Sequence, residues 1–374
     1  MAVGAGEQYW DGQNLPSLLK HGILRRYLPI YLARTASRPG KVVVLDAYAG
    51  RGVYDDGTLG SAGMMLNWAL ERKRSTNPAD YILRFFEKDK KSYTALAEVV
   101  AEHASAGVDV VAERADVITR VDDVVALAAG LPLFLFIDPT GVGLPFEVLV
   151  GAMSRPTNAR NWPPTEALIN FSWEAVRRIG GLVSSENRNE KAIATLDTAL
   201  GGDWWQQHFQ DGVTDEAVMD VVAGFEARLG EATKAVVLSV PVRRDVTHKP
   251  LYSLMFVTRN RRGAWHFGDA AAKSLDEWKN AADEKFGRLA VGQTRADLEA
   301  AAIPDLEANI LAILAEKGAF TVGDFPTIVF DDHYGEIGET AVRAAIKSLH
   351  KKGLTSSDGR GGKTENLKVE PPTQ

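Results

Sequence analysis

Lys41-Val-Val-Val-Leu45 runs directly into Asp46-Ala-Tyr-Ala-Gly-Arg-Gly52. The apolar run has the length and composition of a strand buried on both faces. It ends in an acid and then turns through two glycines. A glycine lets backbone approach a ligand with no Cβ in the way, and an acid accepts a hydrogen bond or meets a cation. A strand that finishes like this suits a nucleotide-like ligand, although many α/β turns share the pattern.

Working outward, the same arrangement recurs. Tyr81–Phe86 reads as a second strand ending at Glu87, and Val108–Ala112 as a third ending near Asp116. Leu131–Ile137 is a fourth, ending in Asp138, and Ala167–Phe171 a fifth. Helical patterns over 61–74, 89–104, 118–129 and 145–153 separate them. That alternation predicts a parallel sheet covered on both faces. Ala235–Val240 and Tyr252–Thr258 are then strands six and seven, too close in sequence for a crossover and therefore antiparallel. The predicted fold class is α/β: a doubly wound, Rossmann-like sheet of the methyltransferase variety, with five parallel strands and an antiparallel 6/7 pair. An amphipathic helix over 14–33 precedes it, with Pro29 as a kink or break. A helical insertion at about 174–232, carrying Trp204-Trp205, is placed to cap the sheet edge, and 269–303 reads as connecting helix. This domain is drawn over 1–300. Residues 301–374 form a second domain, with helices at 305–317, 321–329 and 338–352 and a glycine-rich turn at Asp358–Gly362. Three helices and a short hairpin predict a small C-terminal winged helix-turn-helix.

Composition narrows the chemistry. The chain has 374 residues, 45% of them hydrophobic, enough for a sizeable core. Its net charge of −6 argues against coating nucleic acid by bulk charge. There is no cysteine, which excludes disulfides, thiolate metal sites and cysteine nucleophiles. No metal site is predicted. No apolar run approaches the about 20 residues of a membrane span. The leading MAVGAGEQYWDG lacks the basic and apolar regions of a signal peptide, so a cytoplasmic protein is expected.

Four acids, Asp46, Glu87, Asp116 and Asp138, fall at strand carboxyl ends, the edge where open α/β sheets bind ligands. Acids also follow strands simply to cap helices. G-x-G-x-x-G is absent, and the next strand-end acid lies 35 residues past Gly52, where a dinucleotide fold wants about 20. A phosphate-binding Gly-Lys-Ser/Thr loop is absent too. S-adenosylmethionine has no phosphates and suits the pattern better. Asp46, with Ala47, Tyr48, Gly50 and Gly52 of its loop, would serve the amino acid moiety. Glu87 would accept the ribose hydroxyls, and Asp116 the adenine amine. Asp138, Pro139 and Thr140 end the fourth strand beside the methyl group, a rigid loop offering an acceptor to a nucleophile's N–H.

The chain resembles the three-Cys-motif partner protein family of bacterial methyltransferase-like proteins. The resemblance rests on Lys20-His-Gly-Ile-Leu-Arg-Arg-Tyr-Leu28, Asp46–Gly52, Gly60-Ser61-Ala62, Phe86-Glu87, Ile137-Asp-Pro-Thr-Gly141 and Leu168-Ile-Asn-Phe171, and spans roughly residues 8–290. It implies S-adenosylmethionine as cofactor and a three-cysteine partner protein of iron–sulfur or radical type. Any such cluster would sit on the partner. More distantly, the chain is similar to the adenine-N6 methyltransferase of large-subunit ribosomal RNA, through Lys20-His21, Asp46–Tyr54, Gly60-Ser61 and Asp138-Pro139. By that analogy Lys20 and His21 close over the cofactor, and Ser61 of the matching Gly-Ser step is a cofactor-binding residue. Ala62 and Thr140 replace prolines of that pattern, and Gly141 replaces the aromatic that stacks on a flipped base. Phe171, Trp173 or Trp162 would have to supply the stacking face.

Nucleic acid is the expected substrate. Residues 343–368 hold seven basic side chains against Asp358 and Glu365, a balance of +5. Arg343, Lys347 and Lys351 share one face of the last helix, with Arg360 and Lys363 on the wing. A second basic group, Arg243, Arg244, His248 and Lys249, joins strands six and seven, and Arg259, Arg261 and Arg262 follow. These would guide a backbone or simply protect a sheet edge. The competing reading is a non-catalytic adaptor on a degenerate methyltransferase scaffold, binding nucleic acid or a partner.

Overall fold

The computed structural model describes residues 15–37, 40–76, 78–287 and 294–372. The expectations for the first residues, and for helix at 288–293, lie outside them. The chain divides into two compact units, 1–259 and 260–374.

The first unit is built on seven strands: β1 (Lys41–Asp46), β2 (Asp80–Phe86), β3 (Asp109–Glu113), β4 (Leu133–Ile137), β5 (Thr165–Ser172), β6 (Val236–Val242) and β7 (Tyr252–Thr258). They lie in the order β3-β2-β1-β4-β5-β7-β6. The first five are parallel; β7 runs antiparallel to both β5 and β6. This is the predicted doubly wound α/β sheet. The β1 and β4 runs are buried almost throughout, because helices cover both faces. Helices α2 (Ser61–Arg74), α3 (Lys90–Ser105), α4 (Val121–Leu127) and α5 (Phe146–Met153) supply the crossovers. The helix expected over 118–129 is split: a single 3-10 turn at Val117–Thr119 precedes α4. Asp116 caps that turn, and Asp89 caps α3 by accepting from the Ser92 N–H at 2.8 Å.

Helix α1 (Leu15–Thr35) runs unbroken through Pro29. The expected break is absent because tertiary anchors hold the helix on either side of the proline. The Tyr27 hydroxyl donates to buried Glu166, and the Tyr31 hydroxyl to the Leu133 carbonyl at 2.9 Å, both at the amino ends of β4 and β5. At the other end, the Tyr252 hydroxyl donates to the Pro16 carbonyl at 3.0 Å. Helix α1 therefore lies antiparallel to β4 and delivers its first turns to the carboxyl edge of the sheet.

Between β5 and β6 come α6 (Trp173–Gly180), α7 (Glu190–Leu200) and α8 (Asp215–Thr233), the predicted insertion. Trp205 and Phe209 are fully buried in its core.

The second unit begins with α9 (Arg261–Lys285), so the helix read as a connector of the first domain belongs here, and the boundary drawn at 300 falls inside α10 (Arg295–Lys317). Strand β8 (Phe320–Thr321), α11 (Pro326–Phe330), α12 (Glu339–Lys351) and β9 (Lys368–Val369) complete it. The two short strands pair antiparallel, Phe320 opposite Val369. Trp265, Leu306, Ile310, Val342 and Ile346 form its core.

Candidate functional site

The site forms where β1, β2, β4 and β5 end together. The loop after β1 is tied to both neighbouring strands: the Ala47 N–H donates to the Phe136 carbonyl at 2.9 Å and the Ala49 N–H to that of Phe86 at 3.0 Å. Gly50 and Gly52 then take φ of 61° and 78°, the left-handed region that only glycine enters freely. The Gly52 carbonyl accepts from the Gly60 N–H at 2.9 Å, which brings the loop against the start of α2. The approach is close. A Cβ on Gly63 would lie 2.5 Å from that carbonyl oxygen.

Asp46 is fully buried beneath this loop. It accepts from the Ser61 hydroxyl at 2.6 Å and, more weakly, from the Tyr48 N–H at 3.3 Å. Burial pushes its carboxyl up to about 7; the Ser61 bond pulls it back and the nearby Asp138 adds to the rise. Asp46 thus holds Ser61 and the loop in register instead of facing solvent.

Glu87 bridges two loops. Its carboxylate accepts from the Gly50 N–H at 2.9 Å and from the Asp89 N–H at 2.7 Å. Partial burial raises its carboxyl, partly offset by these bonds. Each oxygen retains a second lone pair. The half-buried Tyr48 sits in the same region, its hydroxyl raised by burial and by the charge of Asp116. Asp116 itself is 40% exposed, pairs with Lys88 at 2.8 Å and is lowered mainly by that bond.

Asp138 is held from two sides. Lys20 of α1, only 4% exposed, forms an ion pair with its Oδ2. Asn170 of β5 donates from Nδ2 to its Oδ1 at 2.8 Å. Since only an N–H can face that carboxylate, the Asn170 amide is oriented with its own Oδ1 turned elsewhere. His21 is buried beside Lys20, its ring 6.1 Å from that of Tyr54. Burial first, then the Lys20 charge, hold its imidazole down to about 3, so it is neutral. Pro139 is buried and Thr140 exposed.

The structure thus gathers Lys20, His21, Asp46, Ala47, Tyr48, Gly50, Gly52, Ser61, Glu87, Asp138, Pro139 and Thr140 along the central carboxyl edge, with Asp116 at the side. Trp162 precedes β5 and so lies at the opposite edge, away from Asp138. Phe171 and Trp173 are on the correct edge, but the Trp173 indole N–H is committed to Ser253 at 2.9 Å. Much of the second basic group is engaged locally. Arg244 pairs with Glu174 at 3.6 Å, Lys249 with Asp215 at 2.7 Å, and Arg259 donates to the Met153 carbonyl at 2.9 Å. Asn170 is a site residue that was not expected from the sequence. Its signal was a polar residue near the end of an otherwise apolar strand, beside the strand that ends in Asp138.

In the second unit, Arg343 faces inward. Its guanidinium donates to the carbonyls of Gly359 at 2.8 Å and Gly362 at 2.6 Å and to the Thr364 hydroxyl at 3.2 Å. It shapes the 358–363 turn and is not a free surface cation, contrary to the sequence reading. Lys347, Lys351 and Lys363 are exposed, and Arg360 is exposed with Asp358 at 3.6 Å. Lys352 and Lys368 pair with Glu307 and Glu370.

Among the described residues no cluster of side chains has the makings of a metal site, and no helix is long and apolar enough to cross a membrane. No family model matches the chain, and no curated protein matches it. Solved structures similar to it include a candidate rRNA methylase from Clostridium thermocellum, at 10% identity over 62% of this chain and 94% of that one, with a TM-score of 0.31. Magnesium protoporphyrin IX methyltransferase (ChlM) from Synechocystis PCC 6803, solved with bound SAH, shares 11% identity over 67% of this chain and 91% of that one, with a TM-score of 0.31. A candidate O-methyltransferase from Klebsiella pneumoniae shares 12% identity over 68% of this chain and 99% of that one, with a TM-score of 0.32.

Proposed function

We propose that the chain is an S-adenosylmethionine-dependent methyltransferase acting on an amine nitrogen of a nucleic acid. The observation that carries the reading is Glu87, a strand-end acid bonded to the Gly50 N–H, so that the acid and the glycine loop form one wall on a sheet of order β3-β2-β1-β4-β5-β7-β6. The residues present fit the cofactor. Glu87 keeps lone pairs for a ribose diol, the half-buried Gly50 beside it carries no Cβ, and no phosphate cradle is required. Bound S-adenosylmethionine would supply an electrophilic methyl group on its sulfonium. The chain's own contribution is positioning. Asp46 fixes Ser61 and the loop, and Lys20 with Asn170 fixes Asp138.

Lys347, Lys351, Arg360 and Lys363, exposed on α12 and the glycine-rich turn, support nucleic acid as substrate, delivered by a winged helix-turn-helix. A three-cysteine partner protein is part of the same proposal, resting on the family resemblance. The adaptor reading has one observation in its favour: both oxygens of Asp138 already have donors, from Lys20 and Asn170. Calorimetry with S-adenosylmethionine separates the two, since an adaptor gives no binding heat.

A further inference from the structure

A narrow, open-mouthed cleft lies where β4 and β5 end, its Asn170 bonded to Asp138. The loop Gly141–Leu144 forms one wall, and Val176, Leu196, Leu200 and Phe225 of the insertion form the other. Phe171 adds an aromatic face, its ring centroid 4.7 Å from that of Phe225. Into this largely apolar lining β5 brings one amide, Asn170. Its Nδ2 is committed to Asp138, and its Oδ1 is buried with no hydrogen-bond partner. A buried carbonyl oxygen with no protein donor is uncommon in a folded protein, and this one can accept from a group that enters the cleft.

The ligand's chemistry follows from the lining. Apolar walls accept a flat, uncharged ring. The orphan acceptor calls for a donor on that ring's edge, an N–H where the methyl acceptor is an amine. Asp138, its charge already balanced by Lys20, offers no net negative charge to draw in a cationic acceptor such as a lysine side chain. We infer that this cleft is the methyl-acceptor subsite and that Asn170, oriented by Asp138, reads the exocyclic amino group of a nucleobase. Thr140 and Gly141 then need no stacking aromatic, because the ring is held between the loop and the insertion. Asp138 becomes a positioning residue, and Asn170 the residue that sets specificity. The inference rests on the methyltransferase reading.

The test uses the full chain with ¹³C-labelled Ile, Leu and Val methyls, saturated with S-adenosylhomocysteine so that no nucleoside enters the cofactor pocket. Adenosine and cytidine are titrated against their counterparts lacking the amine, purine riboside and 2-pyrimidinone riboside. At least one amino nucleoside is expected to shift the methyls of Val142, Leu144, Leu196 and Leu200, and to bind about tenfold tighter than its counterpart, the worth of one good hydrogen bond. Asn170→Leu is expected to abolish that difference while S-adenosylhomocysteine still binds, which shows that the variant is folded. No shift with either amino nucleoside, a difference that survives Asn170→Leu, or a response to N-acetyl-lysine amide instead would each overturn the subsite. Failure of S-adenosylhomocysteine to bind the parent chain would instead overturn the methyltransferase reading beneath it.

Discussion

Replacing Asp46 with asparagine should change how stability depends on pH. Asp46 is fully buried, and its carboxyl rises from an ordinary 3.8 to about 7. The folded chain therefore binds this proton more tightly than the unfolded chain. Below the unfolded value both states are protonated and the site costs nothing. As pH climbs through the window up to about 7, the folded state must either keep a proton that the unfolded state has released or bury a charge, so stability falls. A rise of that size corresponds to about 4 kcal/mol at mildly alkaline pH. Asparagine keeps the shape and an acceptor for Ser61 but does not titrate. The difference in unfolding free energy between variant and parent should therefore move by about 4 kcal/mol in the variant's favour from about pH 4 to about pH 8. Urea unfolding followed by far-UV circular dichroism would show this as a relative midpoint change of about 1–2 M. Glu166 is also fully buried and raised to about 7, with burial as the main cause, so part of the parent's slope should survive until Glu166→Gln is added. Parallel pH profiles for parent and Asp46→Asn would mean that Asp46 is not a buried, proton-holding acid.

Two further perturbations test the loop and the glycine-rich turn. Gly63→Ala places a Cβ 2.5 Å from the Gly52 carbonyl oxygen, a backbone atom that cannot swing aside. It should destabilise the first unit by about 1–3 kcal/mol and weaken S-adenosylmethionine together with it, and unchanged values of both would count against the packing described. Arg343→Lys keeps the charge but loses the forked donor set that holds the 359–364 segment. Amide exchange there should accelerate by about tenfold while the α10 core stays protected, and an unaltered exchange map would contradict the assignment.

Much of the fold was legible because buried parallel strands announce themselves as apolar runs, Lys41–Leu45 and Leu131–Ile137 above all. Strand seven, Tyr252–Thr258, was legible to the residue. What was not legible depended on long-range contacts. Pro29 reads locally as a breaker, but Tyr27 and Tyr31 pin the helix to residues more than a hundred positions away. Arg343, Lys347 and Lys351 share a helix face by spacing alone, and spacing does not reveal that the 359–362 turn folds back to receive the first of them. The Asn170–Asp138 bond likewise joins two strands that become neighbours only in the assembled sheet. Trp162 differs from these: strand direction alone puts a residue that precedes strand five at the amino edge, away from the site.

The central question is whether the Gly50–Glu87 wall binds S-adenosylmethionine. Titration calorimetry of the full chain with that cofactor, and of Glu87→Gln alongside, measures this directly. Saturable binding to one site is expected in the parent, weakened about tenfold to a hundredfold in the variant by the loss of a charged hydrogen-bond acceptor. No heat with the parent, or equal affinity in parent and variant, would contradict it.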